Sequence, residues 1–99
     1  MAQAPHIFTS ARTQLDQLAL GQVSAAELLE EHIERSGAVN PAINAVVRTN
    51  LEEARGRALE LDRLLASGIP AGPLYGPPFT IKDTFDVQGM PATSGAPEY

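Results

Sequence analysis

Lys82 is the residue of this sequence best suited to proton-transfer chemistry. It is the only lysine in the chain, and it ends the short run Phe79-Thr80-Ile81, which follows a loop rich in glycine and proline. Residues of these types fit a pleated, half-buried surface, so the sequence predicts a strand over 79–82 that carries Lys82 to the edge of a core. A lysine in that position is a candidate general base.

A lysine acts as a base only when its surroundings favour the neutral amine. The pKa of a solvated lysine is about 10.4, and lowering it to about 7 requires roughly 4 kcal/mol of desolvation or like-charge repulsion. The alternative is a structural lysine, whose stem packs on apolar surface or whose charge pairs with Asp83 or Asp86. The residue types alone leave both interpretations open.

The other polar residues offer weaker chemistry. Asp83 and Asp86 are three positions apart, whereas aspartate-nucleophile phosphatases place their pair two apart. Ser94 has no nucleophile-elbow pattern around it and no histidine beside it, so we interpret it as a polar turn residue. No glycine-rich run leads into a P-loop lysine. His6 and His32 lack carboxylates at ligand spacing, so we expect neither a metal site nor a cofactor.

The composition fits one small globular domain. Of the 99 residues, 43% are hydrophobic and 19% are charged. Seven basic residues stand against twelve acidic ones, and the net charge of −5 disfavours binding to nucleic acid or to anionic membranes. The absence of cysteine excludes disulfides and thiolate nucleophiles. The sequence shows neither a signal peptide nor a membrane span, so a cytoplasmic location is expected.

Three amphipathic helices and one further strand are predicted ahead of the Lys82 segment. Apolar residues at helical spacing indicate the helices, and alternation with β-branched residues indicates the strand. The helices cover about residues 9–20, 24–36 and 50–67, and the strand covers about 43–47. Together with the strand over 79–82, this pattern predicts an α/β fold. A turn is predicted after that strand, around Gly89.

Capping signals define the helix ends. Ser10 or Thr9 is available as the N-cap of the first helix. Ser24 and Glu27 have the spacing of a capping box at the start of the second helix. This helix is expected to end near Ser36-Gly37, and Asn40-Pro41 is expected to break any helix that follows. Asn50 is placed to cap the third helix.

From about residue 8 to residue 99 the chain resembles the opening part of an amidase signature family enzyme. The motifs that carry the resemblance are Val23-Ser24-Ala25-Ala26-Glu27-Leu28, Asn44-Ala45-Val46-Val47, Gly72-Pro73-Leu74, Gly76, Pro78, Lys82-Asp83 and Gly89-Met90-Pro91-Ala92-Thr93. The chain departs from the family at Tyr75, where histidine is frequent, and at Pro77, where an aliphatic residue is usual. Its Ser94-Gly95-Ala96 also differs from the family's usual Gly-Ser ending.

The resemblance implies a fold, an activity and a set of site residues. The implied fold is an α/β/α sandwich around a mixed sheet, of which this chain would hold the N-terminal helices and first strands. The implied activity is hydrolysis of carbon–nitrogen bonds by a Ser, cis-Ser, Lys triad, in which Lys82 matches the lysine. Asp83, Thr93, Ser94 and Gly95 are implied as supporting or pocket residues. The implied partners are a small-molecule amide and the remainder of the amidase domain, without a cofactor.

The family places both triad serines downstream of the segment that this chain matches. The chain is therefore expected to be an incomplete N-terminal portion of a single amidase domain, inactive by itself. One alternative is a non-catalytic helical interaction module. Another is the amidase component of a glutamine-dependent amidotransferase that acts on charged tRNA. The sequence beyond Tyr99 separates the enzyme from the module, and companion subunits would identify the amidotransferase.

Overall fold

The chain is helical over most of its described length. The computed structural model describes residues 6–68, 72–73, 75–83 and 85–90. In these ranges a 3₁₀ turn (His6–Phe8) precedes three α-helices, which are α1 (Ala11–Ala19), α2 (Ala25–Ile43) and α3 (Leu51–Ala66). None of these helices combines the length and the apolar character needed to cross a bilayer.

The predicted α/β fold is wrong for the described part of the chain, which contains no strand. An isolated antiparallel bridge joins Val87 to Met90. The predicted strand over 43–47 begins with the last residue of α2 and continues as irregular chain, and 79–82 is irregular as well. β-propensity describes how side chains fit a paired and partly buried surface. Neither segment has a partner strand among the described residues, so the propensity is not expressed.

α2 continues through Pro41, contrary to the expected end near residue 36. Proline removes one helical hydrogen bond, the one to the carbonyl of Gly37. The end of the helix is held by Asn40, whose carbonyl accepts from the backbone N–H of Asn44 at 2.6 Å. Its side-chain amide donates to the Val46 carbonyl and accepts from the Val46 N–H, both at 2.8 Å. Asn40 thus satisfies backbone groups that a strand would have paired.

The predicted helix starts are confirmed for α1 and α2. Ser10 is the N-cap of α1, and its side chain accepts from the backbone N–H of Thr13. Ser24 and Glu27 form both bonds of the capping box at α2. Asn50 is the N-cap residue of α3, as predicted, but its side chain makes no capping hydrogen bond.

Asp62 of α3 binds the first turn of α2. Its two carboxylate oxygens accept from the backbone N–H groups of Ala25, at 2.7 Å, and Ala26, at 3.1 Å. Ser24 Oγ accepts from the next donor, Glu27 N, at 3.0 Å. The first three backbone donors of α2 therefore have acceptors, and a carboxylate lies at the positive end of the helix dipole. Asp62 connects the two helices by polar contacts as well as by packing.

The core lies between the helices and is small. Its buried apolar residues are Leu18, Val23, Ala25, Leu28 and Ala58, with Ala26, Leu29 and Leu61 packed against them. Gln14 is also buried, and its Nε2 donates to the backbone carbonyls of His6 and Thr9 at 3.2 and 3.3 Å. A buried amide satisfied in this way fixes the 3₁₀ turn to α1.

The 3₁₀ turn also contacts α2 through two side-chain pairs. His6 Nδ1 lies 2.9 Å from Glu31 Oε2. The guanidinium of Arg35 lies 5.5 Å from the centre of the Phe8 ring, within the range of a cation–π contact. Glu31 and Arg35 are one helical turn apart, so the same face of α2 contacts both His6 and Phe8.

Candidate functional site

Lys82 lies on an exposed turn. The backbone N–H of Phe85 donates to the Lys82 carbonyl at 3.0 Å and closes the turn. The predicted placement of Lys82 at the end of a strand on the edge of a core is wrong for the described residues, because no strand forms and the lysine is exposed. Its amine is accessible from solvent in this arrangement.

Apolar side chains flank Lys82 and are exposed with it. Phe79 is 82% exposed, Phe85 is 64% exposed, and about half of Ile81 is accessible. A strand buries such residues only when another layer of the fold faces them. The described residues provide no such layer, which explains why the β-prone run is present without the predicted burial.

Upstream, the Lys82 segment is anchored to the helical core at Gly76. Gly76 has a φ of +104°, in the region that residues with a Cβ rarely adopt. A Cβ atom at this position would overlap Cδ1 of Leu18, which is fully buried in α1. Pro77 and Pro78 follow, both half-buried and both with restricted φ. The chain therefore leaves the core at a defined point six positions before Lys82.

Downstream, the segment ends in the turn predicted around Gly89, which is confirmed. The Met90 N–H donates to the Val87 carbonyl at 3.1 Å, and Gly89 has a φ of +82°, as the third residue of a type II turn requires. This turn contributes to an open cleft of about 300 Å³, whose lining residues are Val47, Arg48, Thr49, Asn50, Gly89 and Met90. The turn therefore lies beside the loop that leads into α3.

The remaining predicted site residues are only partly described. Asp83 is half-buried in the same turn as Lys82. Thr93, Ser94 and Gly95 lie outside the described residues, so their supporting or pocket role stays a prediction. Within the described ranges, no group of three or more acidic, histidine or cysteine side chains is arranged to hold a metal ion.

Two electrostatic features lie on the helices. Burial lowers the pKa of His32 below 6.5, an effect that the nearby charge of Glu31 partly opposes. Its Nε2 is buried and has no hydrogen-bond partner among the described residues, so His32 is a packing residue.

Arg55 Nε lies 2.6 Å from Glu30 Oε1, and this hydrogen bond lowers the pKa of Glu30 and raises that of Arg55. Because this pair is exposed, it joins α2 to α3 with little net stabilisation.

Sequence reasoning missed the contact between Gly76 and Leu18. A glycine in a proline-rich loop signals a special backbone conformation. The identity of its neighbour carries no such signal, because the two residues are far apart in the chain and only the fold brings them together. The acceptor role of Asp62 was missed for the same reason.

Comparison with known proteins identifies the family. The sequence model of the amidase family matches residues 27–99, a range that includes Lys82 and the turn at Gly89. The chain belongs to the amidase family. The resemblance deduced from the motifs is thereby confirmed.

Relatives of this amidase chain include enzymes of different names. It is 43% identical over 86 residues to an acylamidase of Rhodococcus erythropolis, covering 87% of this chain and 18% of the relative. It is 43% identical over 77 residues to an indoleacetamide hydrolase of Bradyrhizobium diazoefficiens, covering 78% and 15%. It is 39% identical over 79 residues to the A subunit of the glutamyl-tRNA(Gln) amidotransferase of Acidothermus cellulolyticus, covering 80% and 16%.

The amidase chain spans about a sixth of the length of these relatives. No solved structure matches it significantly. The relatives therefore identify the family of the segment, and the activity of a whole enzyme is a separate question.

Proposed function

We propose that this amidase chain is part of a longer hydrolase of amide bonds and supplies its catalytic lysine, Lys82. The observation that carries the proposal is the family match over residues 27–99, which includes the only lysine of the chain. The names of two relatives, an acylamidase and an indoleacetamide hydrolase, support hydrolysis of an amide as the reaction.

In the proposed mechanism Lys82 acts in its neutral form as the base. It takes a proton through a bridging serine, and a second serine attacks the amide carbonyl. Lys82 returns the proton through the bridging serine to the amide nitrogen, the C–N bond breaks and the amine leaves. Water then hydrolyses the acyl-enzyme. Backbone N–H groups near the nucleophile would stabilise the oxyanion. Both serines are assigned to the remainder of the amidase domain, so we expect the 99-residue chain to be inactive by itself.

The exposure of Lys82 defines what the remainder of the domain must provide. A lysine that serves as a base needs an environment that disfavours its charged form, and burial is the usual source. Phe79, Ile81 and Phe85 are exposed apolar residues that flank Lys82 in the sequence and are termed the apolar patch. Exposed apolar surface is typical of contact surfaces. We assign the covering of this patch to the rest of the domain.

Replacement of Lys82 in the longer protein tests the proposal. Lys82→Ala is expected to lower kcat/KM for a simple aryl amide by roughly three orders of magnitude or more, because the nucleophile loses its base. Arg63→Ala, which removes an exposed positive charge on α3, is the matched control and should retain normal activity. Circular dichroism checks that both variants fold. A folded Lys82→Ala variant with most of its activity would exclude the assigned base.

A second candidate is the amidase component of a glutamine-dependent amidotransferase. The observation that favours it is the 39% identity to the glutamyl-tRNA(Gln) amidotransferase component of Acidothermus cellulolyticus. Because the net charge of the 99-residue chain is −5, contacts to tRNA phosphates would have to come from other parts of such an enzyme. Purification of the native protein separates the candidates, since stable companion subunits indicate an amidotransferase and a single-component activity indicates a free-standing amidase. A cytoplasmic location stays a prediction, and no observation favours the non-catalytic module.

A further inference from the structure

We propose that Gly76 and Leu18 are positioning residues for Lys82, an inference that rests on the proposed function of that lysine. Gly76 marks the point where the Lys82 segment leaves the helical core. Leu18 of α1 fills the space that a side chain at residue 76 would need. The close contact between them fixes the start of the segment against a fully buried residue.

The contact is specific to Gly76. Its backbone φ of +104° is nearly the same as the +106° of Gly72 in the same loop. A Cβ built on Gly72, however, meets nothing within 4 Å, and among the described glycines only Gly76 has a neighbour inside that distance. The positive φ alone therefore favours glycine at position 72. At position 76, glycine is favoured both by the positive φ and by Leu18, which occupies the space of a Cβ atom.

The intervening residues can transmit the position of Gly76 to Lys82. Pro77 and Pro78 are half-buried, and their restricted φ makes a stiff, extended spacer. Residues 79–81 make no backbone hydrogen bond to another described backbone group. Among the contacts of the described residues, Gly76 joins the segment to the core upstream of Lys82, and the hydrogen bonds of the turns at 82–85 and 87–90 follow it. A shift at Gly76 moves the amine of Lys82 relative to the helical core.

Steady-state kinetics of the longer enzyme test this inference. Gly76→Ala is expected to lower kcat by about 10- to 100-fold, as small misplacements of a catalytic group do. KM should stay within about 2-fold, because the lysine acts in proton transfer. Gly72→Ala is the matched control, with almost the same backbone strain and no contact, and it should keep normal kcat. Rates are expressed per functional site by active-site titration, so that a loss of folded protein is not counted as a loss of rate.

A double-mutant cycle with Lys82→Ala decides whether the effect passes through the lysine. In the Lys82→Ala background, Gly76→Ala is expected to change the residual rate by less than about 2-fold. An activated aryl ester serves as substrate, so that this residual rate can be measured. Equal losses in the two backgrounds would overturn the positioning role, because a purely structural defect does not depend on Lys82.

Leu18→Val provides a second route if Gly76→Ala fails to fold. It removes both Cδ atoms that contact Gly76 and should lower kcat by several-fold with Lys82 present and not in its absence. An unchanged kcat in Leu18→Val, or a loss that persists without Lys82, contradicts the inference. Failure of the proposed function is distinguishable, because Lys82→Ala would then retain activity. If Lys82→Ala is inactive and Gly76→Ala is fully active, only the positioning role is wrong.

Discussion

Two parts of the chain differ in how their hydrogen-bond donors and acceptors are paired. One is the helical part, residues 6–68, and the other is the Lys82 segment, residues 72–90 as far as described. In the helical part the first donors of α2 have acceptors in Ser24 and Asp62, and the buried Gln14 makes two hydrogen bonds. In the Lys82 segment two turn hydrogen bonds connect described backbone groups, one at Lys82 and one at Val87. Side-chain hydrogen bonds therefore connect the elements of the helical part, whereas the hydrogen bonds between described backbone groups of the segment close its own two turns.

The apolar residues show the same contrast. Leu18 and Leu28 are fully buried, whereas Phe79 is 82% exposed. Full burial of such a side chain contributes about 1.5–3 kcal/mol relative to exposure. The helical part therefore holds the stabilising contacts, and the segment holds apolar surface that contributes little to this chain. We infer that stability and the proposed chemistry are located in different parts of the molecule.

The largest expected effect on stability belongs to the helical core. Leu28→Ala is predicted to lower the free energy of unfolding by about 2–5 kcal/mol, because it removes a fully buried side chain and leaves a cavity. Urea denaturation followed by circular dichroism measures the change. Leu59→Ala on the exposed side of α3 is the matched control and should cost less than about 1 kcal/mol. Similar losses for the two variants would show that the core is not where the structure places it.

The second largest effect on stability is predicted for Asp62, which connects α3 to α2 by hydrogen bonds. Asp62→Ala should cost roughly 1–3 kcal/mol, because it leaves two backbone donors of α2 without acceptors. Amide hydrogen exchange should show faster exchange at Ala25 and Ala26. Glu60→Ala removes another acidic residue of α3, whose ion pair with Arg57 is exposed, and should change stability by less than about 1 kcal/mol. Unchanged protection at Ala25 in Asp62→Ala would contradict the assignment.

Local signals explain what the sequence predicts correctly. The caps at Ser10 and Ser24 depend on residues three positions apart, so their spacing is visible in the sequence. The turn at Gly89 is similar, because glycine supplies the positive φ itself. Lys82 is a candidate base because it is the only lysine and because it lies in a family motif, and both are properties of the sequence.

Tertiary contacts explain what the sequence does not predict. Pro41 signals the end of a helix, but the hydrogen bonds between Asn40 and Val46 support a longer α2. The two predicted strands need partners that the described residues do not provide. The close contact between Gly76 and Leu18 joins distant parts of the chain, so the contact that connects the Lys82 segment to the core is visible only in the fold.

Acidification is predicted to weaken the helical part through His32. Burial lowers the pKa of this imidazole in the folded chain, so the unfolded chain binds the proton more readily. The contribution of His32 to stability is therefore complete above about pH 6.5 and is lost as the pH falls through that value towards the lower pKa of the folded state. Urea midpoints between about pH 7.5 and 5.5 should decrease, and His32→Gln should reduce that decrease. His6→Gln is the matched control and should retain the part of the decrease in urea midpoint that is due to His32.

The smallest effect in the isolated chain is predicted for the apolar patch of the Lys82 segment. Phe79→Ser and Phe85→Ser should each change the free energy of unfolding of the 99-residue chain by less than about 0.5 kcal/mol, because both rings are already exposed. In the longer protein the same substitutions should cost about 1 kcal/mol or more each, if the rest of the domain covers the patch as proposed. Parallel urea denaturation of the two forms measures the difference. Equal and small effects in both would mean that the patch stays exposed and that Lys82 gains no apolar cover, which would remove the proposed source of its basicity.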